Sequence, residues 1–230
     1  PKTHMKAVAD VSLNLYEGET YGLVGESGCG KSTTGRSILG LVKPDSGEIL
    51  YRGKDLTKLS DKEFRPLRRD LQMVFQDTLS SLNPRSRIGA LLEEPLIVQG
   101  MGNPEERRQK VLEILKMVGL AEDHYFRYPH ELSGGQVQRL GIARALIINP
   151  KLIVCDEPVS ALDVSIQSQI LNTLTTLQKE MNVALLFISH DIGVVRYISD
   201  RIGVMYLGTL VEESSTDELF ANTLHPYTKA

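Results

Sequence analysis

The run Gly25-Glu26-Ser27-Gly28-Cys29-Gly30-Lys31-Ser32, followed by Thr33, has the spacing G-x-x-x-x-G-K-[ST], an arrangement that holds phosphate groups. Its glycines let the backbone curl so that successive amides point inward, and a helix starting near Lys31 adds free N–H groups and the positive end of its dipole. Lys31 can then neutralise β- and γ-phosphate charge, while the Ser32 hydroxyl offers Mg²⁺ the hard oxygen it prefers. The flanks support this chemistry. Tyr21-Gly22-Leu23-Val24 reads as a strand and Ser32 to Leu39 as a helix, the context that separates a phosphate loop from an ordinary glycine-rich connection.

A second group stands at the end of the apolar run Leu152-Ile153-Val154-Cys155, which closes on Asp156-Glu157. In sheets of this kind ligands bind at the carboxyl ends of the strands. Asp156 is positioned to hold Mg²⁺ through its water shell and Glu157, one residue farther out, to polarise an attacking water. Alone, the pair could be surface acids; a phosphate loop in the same chain makes them a hydrolytic pair. A third group, Leu132-Ser133-Gly134-Gly135-Gln136, precedes Val137-Gln138-Arg139 and an apolar helical run, so Ser133 and the glycines open a helix whose start is a second anion site.

At this motif the sequence resembles the ATP-binding cassette (ABC) ATPases, whose signature is this LSGGQ. The other family motifs stand in order: Gln76 resembles the Q-loop glutamine, Ser160-Ala161-Leu162-Asp163 the D-loop and His190 the switch histidine. The resemblance implies a P-loop NTPase (RecA-like) α/β core with an antiparallel β subdomain and an inserted α-helical subdomain. It implies ATP and Mg²⁺ as cofactors and hydrolysis to ADP and phosphate coupled to transmembrane transport. Gln76 would ligate Mg²⁺ and report nucleotide state to a membrane subunit, and His190 would contact the γ-phosphate and fix the geometry of the catalytic water. Ser133, Gly134, Gly135, Gln136 and Asp163 would meet the nucleotide held by the opposite subunit.

The implied partners are a second cassette, identical or paralogous, membrane permease subunits, and indirectly an extracytoplasmic substrate-binding protein. The implied location is peripheral, at the cytoplasmic face of the plasma (inner) membrane. Family members usually stack adenine on an aromatic upstream of the phosphate loop. Pro1 to Ala9 contains none, which leaves residues preceding Pro1 or aliphatic surface with His4. Within the family, Ser80-Ser81-Leu82-Asn83-Pro84-Arg85, Tyr128-Pro129-His130-Glu131 and His225-Pro226-Tyr227-Thr228 resemble oligopeptide and dipeptide importer ATPases. Nickel and glutathione importers, and an accessory subunit of a phosphonate-degrading complex, carry similar cassettes. A soluble ABC ATPase acting on nucleic acid would be expected to show a coiled-coil insert, paired cassettes or a basic face, and LSGGQ with the switch histidine argues against a phosphate-loop kinase or GTPase.

These groups need elements to position them. Val11, Leu13 and Leu15 alternate with Ser12 and Asn14, the period of a half-buried strand, and Glu48 to Arg52 and Leu71 to Phe75 read as further strands. Between about Asn83 and Asn149 the pattern turns helical, most clearly over Pro104 to Val118, where Asn103 and Glu106 form a capping box and Gly119 suits a left-handed exit. Strand and helix alternation resumes at Leu152, with a helix around Ile166 to Leu177, then Ala184 to Ser189, Ile192 to Ile198 and Arg201 to Tyr206. The expected organisation of the single ABC ATPase domain, 1–230, is a catalytic core formed by 1–82 and 150–230, with residues 83–149 inserted as a helical subdomain.

With 41% hydrophobic and 24% charged residues and a net charge of -3, the 230-residue chain is expected to be globular and to bind no nucleic acid. The arginine clusters at Arg65, Arg68 and Arg69 and at Arg107 and Arg108 are interleaved with acids and read as solvated faces. Apolar stretches are far shorter than the roughly 20 residues a membrane helix needs. Cys29 and Cys155, unspaced for a metal or a disulfide framework, read as small core residues of a reduced, cytosolic protein. Pro1 and Ala230 carry no start or stop signal, so a longer parent sequence is expected.

Overall fold

The computed structural model describes residues 6–229, and in it the chain winds through strands and helices in the order the alternation implied. β1 (Thr20–Gly25) leads through the glycine-rich loop into α1 (Lys31–Ile38); β2 (Leu50–Tyr51), β3 (Lys54–Asp55) and α2 (Asp61–Phe64) precede β4 (Leu71–Val74). α3 (Ile88–Val98), α4 (Pro104–Met117) and α5 (Gly134–Leu146) follow before β5 (Leu152–Asp156). The chain closes with α6 (Val164–Met181), β6 (Ala184–Ser189), α7 (Ile192–Ile198), β7 (Arg201–Tyr206), β8 (Thr209–Ser215), α8 (Thr216–Ala221) and α9 (Pro226–Lys229).

One six-stranded sheet runs β4-β5-β6-β1-β7-β8, parallel throughout except for β8, which pairs antiparallel with β7. β2 and β3 form a separate antiparallel hairpin. The order fixes the site. β4, β5, β6 and β1 are adjacent and parallel, so the loops leaving their carboxyl ends open on one edge of the molecule. Register keeps those ends level: Val74 pairs with Cys155, Asp156 with Ile188 and Val24 with Ser189.

Alternation along the strands divides the interior into two cores. Ile153, Cys155, Leu185 and Phe187 face one side, where they join the buried residues of α3 to α7. Leu152, Val154, Leu186 and Ile188 face the other, beneath α1, Leu56 and Phe64. Gly35 of α1 lies so near the sheet that a Cβ there would stand 2.8 Å from Val154 Cγ1 and 2.9 Å from Ile188 Cδ1. Leu92, Leu96, Leu115, Leu140 and Leu146 of the intervening helices are all at most 1% exposed, and each contributes about 1.5–3 kcal/mol by leaving water.

Helix ends follow the local chemistry. Asn103 Oδ1 accepts from the Glu106 amide at 3.0 Å while Glu106 Oε2 accepts from the Asn103 amide at 2.8 Å, and Gly119 takes φ 72° beyond the end of α4. Two strand expectations need correction. Val11, Leu13 and Leu15 do turn toward the core and Ser12 and Asn14 toward solvent, but the segment forms no ladder among the described residues; pairing stops at the single bridge of Asp10 to Thr209. Alternation reports which face is buried, not whether a neighbouring strand is there. The strand expected over Glu48 to Arg52 is reduced to β2, because Arg52 at φ 49° and Gly53 at φ 78° form the turn into β3.

Candidate functional site

The phosphate loop lies at the end of β1, and its conformation follows from its glycines. A Cβ on Gly25 would stand 2.1 Å from the Met205 carbonyl oxygen, so only glycine fits beside β7, and Gly28 and Gly30 take φ 82° and 106°. The loop is braced from the β7–β8 turn, where the Gly208 amide donates to Cys29 O at 3.1 Å. Glu26 and Ser27 are exposed at the loop's crown, whereas Cys29 is buried. Lys31 is 4% exposed and curls under the loop, its Nζ donating to Gly25 O at 2.7 Å and Glu26 O at 2.8 Å. A buried ammonium held by two neutral carbonyls is a strong site for a phosphate anion. Thr33, the next residue after Ser32, is half-buried on α1.

Ser32 Oγ donates to Asp156 Oδ1 at 2.6 Å, which joins the start of α1 to the end of β5. Asp156 is 2% exposed, and its other oxygen lies 3.4 Å from Arg36 Nη2, one turn along α1. Among the described residues no group of three or more His, Cys, Asp or Glu side chains could hold a metal. A hydroxyl and a carboxylate at this separation are nevertheless the hard-oxygen pair that Mg²⁺ takes from a protein when phosphate and water complete its shell.

Glu157 takes φ 47° immediately after β5, a conformation costly for a non-glycine residue and often found at functional sites. Its Oε2 accepts from Gln76 Nε2 at 3.1 Å and lies 3.2 Å from His190 Nδ1. Gln76 follows β4 and His190 follows β6, so three adjacent strand ends converge on one carboxylate oxygen. Ser160 Oγ, 3.4 Å from Gln76 Nε2, also donates to Glu157 O at 3.1 Å.

The structure thus brings together Lys31, Ser32, Asp156, Glu157, Gln76 and His190. Ser133, Gly134, Gly135, Gln136 and Asp163 stand at the starts of α5 and α6, outside this cluster. Ser133 caps α5: its Oγ accepts from the Gln136 amide at 3.4 Å and its amide donates to Gln136 Oε1 at 3.0 Å. Ser133 and Gly134 are exposed, and Gly135 is buried against α6, where a Cβ would stand 2.6 Å from Ile166 Cγ2. Asp163 is exposed at the start of α6, and its side chain makes no capping bond there. Among the described residues no hydrogen bond or ion pair joins this second anion site to the phosphate loop. His4, a candidate surface for adenine, lies outside the described residues. Arg36 was missed by the sequence reading; its only local signal is its place one turn beyond Ser32 on the helix that faces Asp156.

Residues 8–160 match the family model described as ABC transporter. The chain is 58% identical to the oligopeptide transport ATP-binding protein OppF of Haemophilus influenzae, over 100% of this chain and 69% of the relative. It is 55% identical to the oligopeptide transport ATP-binding protein AppF of Bacillus subtilis, over 98% of this chain and 69% of the relative. Among solved structures it is similar to the dimeric ATP-binding cassette MJ0796 in a post-hydrolysis state bound to ADP and Pi. That likeness has a TM-score of 0.85 and 37% identity, covering 94% of this chain and 93% of the other.

Proposed function

This chain belongs to the ABC transporter family, and on that footing we propose that it is the ATP-hydrolysing subunit of an importer for oligopeptides or dipeptides. The observation that carries the reading is the convergence of Gln76, Glu157 and His190 at the mouth of a loop whose Lys31 and Ser32 suit a triphosphate and its Mg²⁺. Lys31 exchanges its two carbonyl partners for β- and γ-phosphate oxygens. Ser32 and Asp156, with Gln76, would hold Mg²⁺, which would neutralise phosphate charge. Glu157 orients the attacking water and accepts its proton, and His190 holds Glu157 and the γ-phosphate in line.

The separation of the signature from the phosphate loop supports a head-to-tail dimer. Ser133, Gly134, Gly135 and Gln136 of one cassette, with its Asp163, close over the nucleotide at Lys31 of the other, and loss of the γ-phosphate reopens the pair. Among the described residues no helix is long and apolar enough to cross a membrane; in this reading permease subunits supply the transport path and the cassette docks at their cytoplasmic face. The groove of about 370 Å³ whose lining includes Leu41, Phe75 and Val98 offers them an apolar surface, with those three residues 52%, 37% and 63% exposed.

Ser133→Asp tests the reading. Aspartate caps a helix as well as serine does, but puts a negative charge where the partner's γ-phosphate must arrive. In a Glu157→Gln background the parent should dimerise with ATP, and Ser133→Asp should still bind ATP yet remain monomeric. A Ser133→Asp protein that dimerises on ATP as its parent does overturns the proposal.

A further inference from the structure

The motif His225-Pro226-Tyr227-Thr228 has no part in the chemistry described above, yet the structure folds it back toward the phosphate loop. Glu212 of β8 accepts from the Leu224 and His225 amides, and His225 Nδ1 accepts in turn from the Tyr227 amide at 3.2 Å. Tyr206, the last residue of β7, receives the segment: its ring centroid lies 5.3 Å from that of Tyr227 and 6.1 Å from that of His225. Tyr227 also packs against one of the two cores. Burial first, and then the nearness of Glu26 and Cys29, hold its hydroxyl above the ordinary value of 10.0, so the ring stands within electrostatic reach of the loop.

Tyr206 leads directly into the turn that braces the loop. Leu207 and Gly208 join β7 to β8 with φ 47° and 83°, the two positive values of a tight hairpin turn that glycine and asparagine favour and leucine does not. Leu207 is 72% exposed, so its side chain buries little in return for the strain, and the turn depends on its surroundings to persist. On one side Gly208 O accepts from the Ala9 amide at 2.7 Å; on the other the Gly208 amide donates to Cys29 O at 3.1 Å. In a trans peptide the carbonyl and the following N–H point in opposite directions. Holding Cys29 O against the turn therefore aims the Gly30 amide the other way, into the curl where phosphate binds.

We propose that Tyr206 and Tyr227 are positioning residues for the phosphate loop: the docked segment fixes Tyr206, Tyr206 fixes the strained turn, and the turn holds the Cys29–Gly30 peptide in its phosphate-binding orientation. Nucleotide affinity and docking of the segment are then linked, and each favours the other by the same factor. The inference rests on the proposed function in taking this loop as the nucleotide site. It adds that the motif acts on the site from behind, through the backbone of the loop.

Two measurements with ADP test the link from both ends. In the unmodified protein, saturating ADP should slow hydrogen exchange of the Leu224 and His225 amides about tenfold. Tyr227→Ala should weaken ADP binding about tenfold in calorimetric titration, whereas Tyr227→Phe, which keeps the ring, should bind as the parent does. A residue that only packs would lower the melting temperature when truncated and leave ADP affinity alone. ADP binding by Tyr227→Ala equal to that of the parent, or exchange at Leu224 and His225 that ADP does not alter, overturns the inference and leaves the proposed function standing. The exchange measurement needs no variant, so it decides even where Tyr227→Ala fails to fold. A parent that binds neither ATP nor ADP overturns the proposed function, and this inference with it.

Discussion

Glu157 Oε2 stands 3.2 Å from His190 Nδ1 across the ends of two neighbouring strands, and the same oxygen accepts from Gln76. A carboxylate so held has its direction set from two sides, and among the described residues the only other side-chain hydrogen bond of either group is the weak one of Gln76 to Ser160. The arrangement suits a base that must point at a water rather than coordinate a metal.

Glu157→Gln therefore should lose turnover by about 100- to 10,000-fold, the usual contribution of a positioned general base, while nucleotide affinity is retained. The neutral amide preserves the contact with His190 but cannot take a proton. Steady-state ATPase assays beside fluorescent-nucleotide titration check this, and near-normal hydrolysis by the variant removes Glu157 from the role of base. Lys31→Ala should do the reverse and weaken nucleotide binding itself, since the ammonium beneath the loop is gone.

Gly134 and Gly135 should separate cleanly. At Gly134 the nearest atom to an added Cβ is Leu162 Cδ2 at 3.6 Å, an ordinary contact, whereas at Gly135 it is Ile166 Cγ2 at 2.6 Å. Gly135→Ala must push α5 from α6 and should cost about 1–3 kcal/mol, as overpacking does, with loss of ATP-dependent dimerisation. Gly134→Ala should change stability by less than about 0.5 kcal/mol. Denaturant melts of the two variants decide it; equal stability would mean that the α5–α6 approach yields without cost.

What was legible in the sequence was chemistry confined to short spans. The phosphate loop, the acids ending β5 and the Asn103 cap each depend on residues a few positions apart, and the helix periods gave α4 and α7 nearly to the residue. What could not be read was pairing between distant segments. Val11 to Leu15 has the alternation of a strand, but whether another strand lies beside it depends on the sheet order, which places β8 next to β7 and leaves, among the described residues, only the Asp10 bridge. Arg36 beside Asp156 and Thr78 beside Gln138 are likewise consequences of tertiary approach. Beyond the place of Arg36 one turn after Ser32, no local pattern marks either pair.

Cys155 should be inert in the folded protein. Burial, followed by the charge of neighbouring Asp156, pushes its thiol up to about 12, and the thiolate is the reactive form. At pH 8 iodoacetamide should leave Cys155 unmodified for hours and alkylate it promptly once urea unfolds the chain, as mass spectrometry of the corresponding peptide would record. Rapid native labelling would mean that β5 opens far more readily than its place in the middle of the sheet suggests.

Glu212 on β8 anchors the segment leading into α9. Its Oε1 accepts from the Leu224 amide at 2.8 Å and its Oε2 from the His225 amide at 3.1 Å. Burial pushes this carboxyl up, but the two amides and the neighbouring Thr228 and His225 outweigh it, so the group ends below its ordinary value of 4.5. A carboxyl whose folded value is depressed contributes stability that is fully present above the unfolded value and is lost as pH falls through the folded one. The segment from Leu224 to Lys229 should thus stay docked from neutral pH down to pH 5, and release on acidification below 4.5. Glu212→Gln, whose amide offers one acceptor where two N–H groups arrive, should release the segment already at pH 7 and abolish the acid step. Amide chemical shifts of Leu224 and His225 across a pH titration measure both effects, and shifts that do not respond to pH or to Glu212→Gln would show that the tilted contact of the Tyr206 and Tyr227 rings, centroids 5.3 Å apart, holds the segment without the carboxylate.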